Sequence, residues 1–123
     1  MRLSNRAGYR GSKLTKATFE RLFLESIDEA LASLGDSAKQ AIYFHLEKKF
    51  EIERNEIPQR VEAFSEGLGK IFGVGAQFLE ILIMKKFYEK IGRPVQLDKS
   101  RELIFAEYVA AARRSFLTNR KRS

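Results

Sequence analysis

The stretch Phe64 to Gly92, FSEGLGKIFGVGAQFLEILIMKKFYEKIG, constrains the chain most, because two apolar helical segments meet there at paired glycines. Val61, Phe64, Leu68, Ile71 and Phe72 are spaced by three, four, three and one, which places them on one stripe of a helix with 3.6 residues per turn. Gly73 stands where a positive φ ends a helix, and Gly75 is expected to open the next. The second segment, with Phe78, Leu79, Leu82, Ile83, Met84, Phe87, Tyr88 and Ile91, is apolar over more than one stripe. It is expected to be central or to carry a partner-binding face formed by Leu79, Leu82, Ile83 and Phe87. The apolar run 78–84 is far shorter than the roughly 20 residues a membrane-spanning helix needs, so no membrane span is expected.

The remaining helices follow from the same period. Phe19, Leu22, Phe23, Ile27, Ala30, Leu31 and Leu34 predict a first helix from about Thr15 or Thr18, closed by Gly35. A second is expected over 37–50, with Ala38, Ala41, Ile42, Leu46 and Phe50 facing inward. Pro58 suits the first turn of a third helix running to Phe72. After the fourth helix, 92–98 reads as a linker, and a last helix is expected over 99–119 with Leu103, Ile104, Val109, Phe116 and Leu117 on its apolar side. Two prolines and no strand-like alternation complete an all-α expectation: a single compact bundle of about five helices with basic, flexible termini. The expected division is a flexible basic arm over 1–14, a helical domain over 15–119 and a basic tail over 120–123.

Charge is unevenly placed. The net charge is +7, yet residues 19–92 hold ten basic against thirteen acidic side chains, and the excess lies at the two ends. Arg2, Arg6, Arg10 and Lys13 in the first arm, and Arg113, Arg114, Arg120, Lys121 and Arg122 near the other end, are the candidate contacts to the phosphate backbone of DNA or RNA. The first set recurs every three or four residues and forms one face only if the arm becomes helical, which Gly8 and Gly11 oppose. Phe116, between the arginine clusters, is expected to pack inward rather than to stack on a base.

Chemistry is sparse by comparison. Cysteine is absent, which removes disulfides, thiolate catalysis and thiolate-bound metals and suits a cytoplasmic location. His45 is the lone histidine, so neither a histidine pair for a metal nor a serine triad can be assembled. GLGKIFGVG departs from the spacing of a phosphate loop and follows a helix rather than a strand. Glu47, Glu51, Glu53 and Glu56 lack the apolar surroundings that raise a carboxyl pKa and read as a solvated face. The chain is therefore expected to be non-enzymatic, with no cofactor and no metal.

Over Leu31 to Gly92 the segments LG-x-S-x-K-x-A-I-Y-x-H-L-E, E-I-P, IFG-x-GA and LE-x-x-I resemble the nitrosopumilus output domain, a small archaeal helical family. The resemblance implies a helical regulatory or signalling module and carries over no catalytic residue. Three readings stand at this point. In the first, the basic ends bind nucleic acid or a ribonucleoprotein surface, with the helical core as scaffold or dimerisation unit. In the second, the fourth helix pairs with its own copy or a protein partner. In the third, Phe64, Phe72, Phe78 and Tyr43 enclose an apolar small molecule.

Overall fold

The structure, a computed structural model, describes the backbone of residues 2–92 and 104–122 and the side chains of 15–92 and 104–117. Five helices follow one another: α1 (Arg2–Ala32), α2 (Asp36–Phe50), α3 (Val61–Phe72), α4 (Ala76–Lys90) and α5 (Phe105–Arg122). Among the described residues there is no strand, and the fold is a compact all-α bundle.

Phenylalanine organises the core. Phe19, Phe23, Phe64, Phe87 and Phe105 come from four different helices, and all five are buried. Phe87 of α4 meets Phe19 edge-on at 5.0 Å and Phe23 at 5.1 Å, while Phe105 of α5 lies 6.2 Å from both Phe23 and Phe64. The spacing of four between Phe19, Phe23 and Ile27 keeps them on the inward stripe of α1, which packs most extensively on α4. Each such ring pair adds about 0.5–1.5 kcal/mol beyond the burial of its area.

The chain doubles back between α3 and α4. By length and composition alone, 61–90 is apolar enough to cross a membrane as one helix. However, the Ser65 hydroxyl donates to the Glu80 carboxylate, fifteen residues on. In a straight helix those residues would stand about 22 Å apart. The reversal is made by the short 3₁₀ turn Gly73–Gly75, where Gly73 adopts φ 61° and ψ −134°, a region closed to side-chain-bearing residues. Gly75, expected to need glycine's freedom, has ordinary helical angles. A second glycine matters for closeness instead. A Cβ on Gly67 would stand 2.8 Å from Leu46 Cδ2, so α2 and α3 touch where no side chain intervenes.

Several boundaries differ from expectation. The arm expected to be flexible over 1–14 is helical from Arg2 onward. Once packing has nucleated the α1 turn around Phe19, each preceding residue adds a hydrogen bond without a new nucleus. Gly8 and Gly11 weaken that extension by about 1 kcal/mol each but, unlike proline, do not stop it. Pro58 lies not in α3 but in a 3₁₀ turn, Arg54–Gln59, that precedes it, and Arg60 (φ −134°, ψ 47°) separates the two. The helix expected over 99–119 begins at Phe105, with Ile104 outside it; residues 99–103, and most of the linker expected over 92–98, lie outside the described residues.

Candidate nucleic-acid interface at the basic end

The direction of α5 is set by two aromatic contacts. Phe23 of α1 meets Phe105 at the start of α5, whereas Phe19, one turn earlier in α1, lies 5.7 Å from Phe116 near its end. The order is reversed, so α5 runs against α1 and its C-terminal end points toward the half of the bundle in which α1 begins. Phe116 thus packs inward, as its spacing suggests. Helical register in α1 brings Arg2, Arg6, Arg10 and Lys13 to intervals of four, four and three, which is one face of a helix. Arg120, Lys121 and Arg122 form the last turn of α5. The side chains of these seven residues lie outside the described set, while their backbone positions do not.

Arg113 differs from the rest of its cluster. Its guanidinium lies 4.6 Å from the centre of the Phe19 ring and donates a 2.9 Å hydrogen bond to the Pro58 carbonyl. Half-buried, it ties α5 to α1 and to the 3₁₀ turn, and its ring stacking and carbonyl bond replace the water it has lost. Arg113 is therefore a latch of the fold rather than the free phosphate ligand the sequence suggested; its neighbour Arg114 is exposed. Beside the latch is an open cleft of about 450 Å³, lined by Pro58, Arg60, Val61, Val109 and Arg113 among others.

The expected partner face is also corrected. Leu79, Ile83 and Phe87 are buried against the chain's own helices, and Leu82 is half-buried. The three recur every four residues on the stripe of α4 turned to α1, and a helix apolar nearly all round offers no pattern that tells its inner stripe from its outer one. The side left open bears Phe78, 78% exposed, beside Val74 in the turn, 93% exposed. Nor do Phe64, Phe72, Phe78 and Tyr43 share an apolar pocket. Phe64 is in the core, Phe78 is on the surface, and the Tyr43 hydroxyl is engaged elsewhere.

That engagement is a polar cluster the sequence did not disclose. The Asp28 carboxylate accepts from the Tyr43 hydroxyl at 2.6 Å and from two nitrogens of Arg54, joining α1, α2 and the 3₁₀ turn. Burial alone would push the Asp28 carboxyl up, but the bonds from Arg54 and Tyr43 together with the Arg54 charge hold it below the usual carboxylate range. Burial and the same carboxylate push the Tyr43 hydroxyl up. On the α3–α4 hairpin, burial pushes the Glu80 carboxyl up, and the Ser65 bond offsets this only in part. Both groups sit between helices and serve the packing.

The remaining candidates are superficial. His45 is exposed on α2 beside Phe44, with the ring centroids 6.2 Å apart. Glu47, Glu51, Glu53 and Glu56 are all exposed, and Glu53 and Glu56 cap the 3₁₀ turn reciprocally. Among the described residues no group of three or more His, Cys, Asp or Glu side chains is placed to hold a metal ion. Comparison of the chain with known families, with curated proteins and with solved structures finds no match. The likeness to the nitrosopumilus output domain accordingly rests on the segments quoted above.

Proposed function

We propose that the protein binds the phosphate backbone of DNA or RNA through one basic end, built from the start of α1 and the end of α5. The observation that carries this reading is the reversed Phe19–Phe116 and Phe23–Phe105 pairing, which directs both basic ends to the same half of the bundle. Residues 1–18 and 113–123 contain ten basic and no acidic side chains, while the rest of the chain is net negative. Two short cationic segments joined in this way track a polyanion better than either alone, because the phosphate term grows with each counterion released.

Arg2, Arg6, Arg10, Lys13, Arg114, Arg120, Lys121 and Arg122 supply the contacts in this reading, and Arg113 acts through the fold. Contacts of this kind position a duplex and read little sequence. The core is a scaffold, with no catalytic step and no cofactor, in a cytoplasmic protein of a regulatory, archaeal type. The test is binding of the full chain to double-stranded DNA and to structured RNA over a salt series. The triple replacement Arg120→Glu, Lys121→Glu, Arg122→Glu and the triple Arg2→Glu, Arg6→Glu, Arg10→Glu are each expected to weaken binding at least about tenfold and to flatten the salt slope. Unchanged affinity in either triple variant, with the fold retained, removes the reading.

A further inference from the structure

The end of the α3–α4 hairpin carries the two most exposed large apolar side chains of the described residues and lies apart from the arginine clusters in sequence. Residues 67–79 carry a single charge, Lys70. Within this stretch Val74 is 93% and Phe78 78% exposed, and the half-buried Ile71 and Phe72 adjoin them in sequence. Val74 and Phe78 thus form a small apolar tip that the chain's own helices leave uncovered.

We propose that this hairpin tip docks on an anionic lipid surface, inserting Val74 and Phe78 at the level of the headgroups. The choice of occupant follows from charge. Lys70 precedes Val74 by one helical turn, and Lys85 and Lys86 follow Phe78 by about two, so a positive collar stands roughly 6–12 Å behind the apolar tip. That is the depth to which interfacial helices bury their apolar side, so the ammonium groups meet the lipid phosphates. The nearest acid on α4, Glu80, is turned inward and bonded to Ser65, and the exposed acids that flank the collar, Glu66 and Glu89, stand about one turn farther from the tip than Lys70 and Lys85, so positive charge meets a surface first. The doubled-back hairpin is too short to cross a bilayer, so the contact is peripheral.

The chain contains no tryptophan, so Phe78→Trp introduces a single reporter at the tip. With full-length Phe78→Trp protein and phosphatidylcholine vesicles containing phosphatidylserine, a blue shift of emission and quenching by brominated acyl chains are expected. Phosphatidylcholine alone should give much weaker signals. Phe78→Asp is expected to lower vesicle affinity by roughly tenfold to a hundredfold. Because the side chain is exposed, its melting temperature and nucleic-acid binding should be unchanged. Two results overturn the proposal. One is vesicle adsorption that Phe78→Asp leaves intact, which assigns lipid attraction to the basic ends. The other is self-association that needs no lipid and is lost in Phe78→Asp, which assigns the tip to a second copy of the chain.

Discussion

At the residue scale, two carboxylates held between helices, the half-buried Asp28 and the buried Glu80, make opposite demands on pH. Asp28 has a folded-state pKa below its unfolded value of about 4, so its contribution is present above that pH and lost as pH falls through the folded value. Asp28→Asn should therefore cost about 1–2 kcal/mol at pH 7, discounted for the partial exposure of Arg54, and progressively less below pH 4. Glu80 is raised, so it weakens the fold as pH rises through its unfolded value, and Glu80→Gln should stabilise at pH 7 and give no gain below about pH 4. Chemical denaturation of both variants across pH checks the two signs together. Glycine gives a second pair. Gly69→Ala, with nothing within 4 Å of the new Cβ, should stabilise α3 by about 0.5–1 kcal/mol. Gly67→Ala should be net destabilising by about 1 kcal/mol, because the crowding against buried Leu46 exceeds the helix gain. Nothing in the sequence separates these two glycines, since both lie mid-helix and only the proximity of α2 distinguishes them.

Element by element, α4 is where sequence reasoning went furthest astray. Its apolar residues cover more than one stripe, and the choice of Leu79, Ile83 and Phe87 as an outward face picked the stripe that α1 covers. The corrected assignment predicts a large asymmetry. Phe87→Ala should cost about 3–5 kcal/mol, from lost burial and lost contacts with Phe19 and Phe23. Phe78→Ala should fall within about 0.5 kcal/mol of the parent chain. Urea unfolding of both variants measures the difference, and comparable costs would restore the earlier assignment. By contrast, the hairpin itself was legible. Glycines flanked by two 3.6-residue patterns leave few alternatives, and Gly73 holds the positive φ that such a break requires.

Taken whole, the molecule joins a mildly acidic body to two basic ends, and under the proposed function the salt dependence of nucleic-acid binding is the global readout. Between low and physiological salt, affinity should fall by about 10³-fold or more if six or more phosphates are engaged, with a log–log slope near −0.9 per phosphate. Titration of duplex DNA across the salt series checks this, and a flat response would show that the ends do not act together. The sequence by itself determined the all-α class, the helix count and the charge segregation, because periodicity, glycine and proline placement and charge are local properties of the chain. It did not determine which side of α4 faces inward, that Arg113 latches onto Phe19 and the Pro58 carbonyl, or that Asp28, Tyr43 and Arg54 converge. Only the tertiary structure decided these. Residues 15 to 94 positions apart in sequence meet in them, and the helix-packing geometry that joins them leaves no local trace in any one segment.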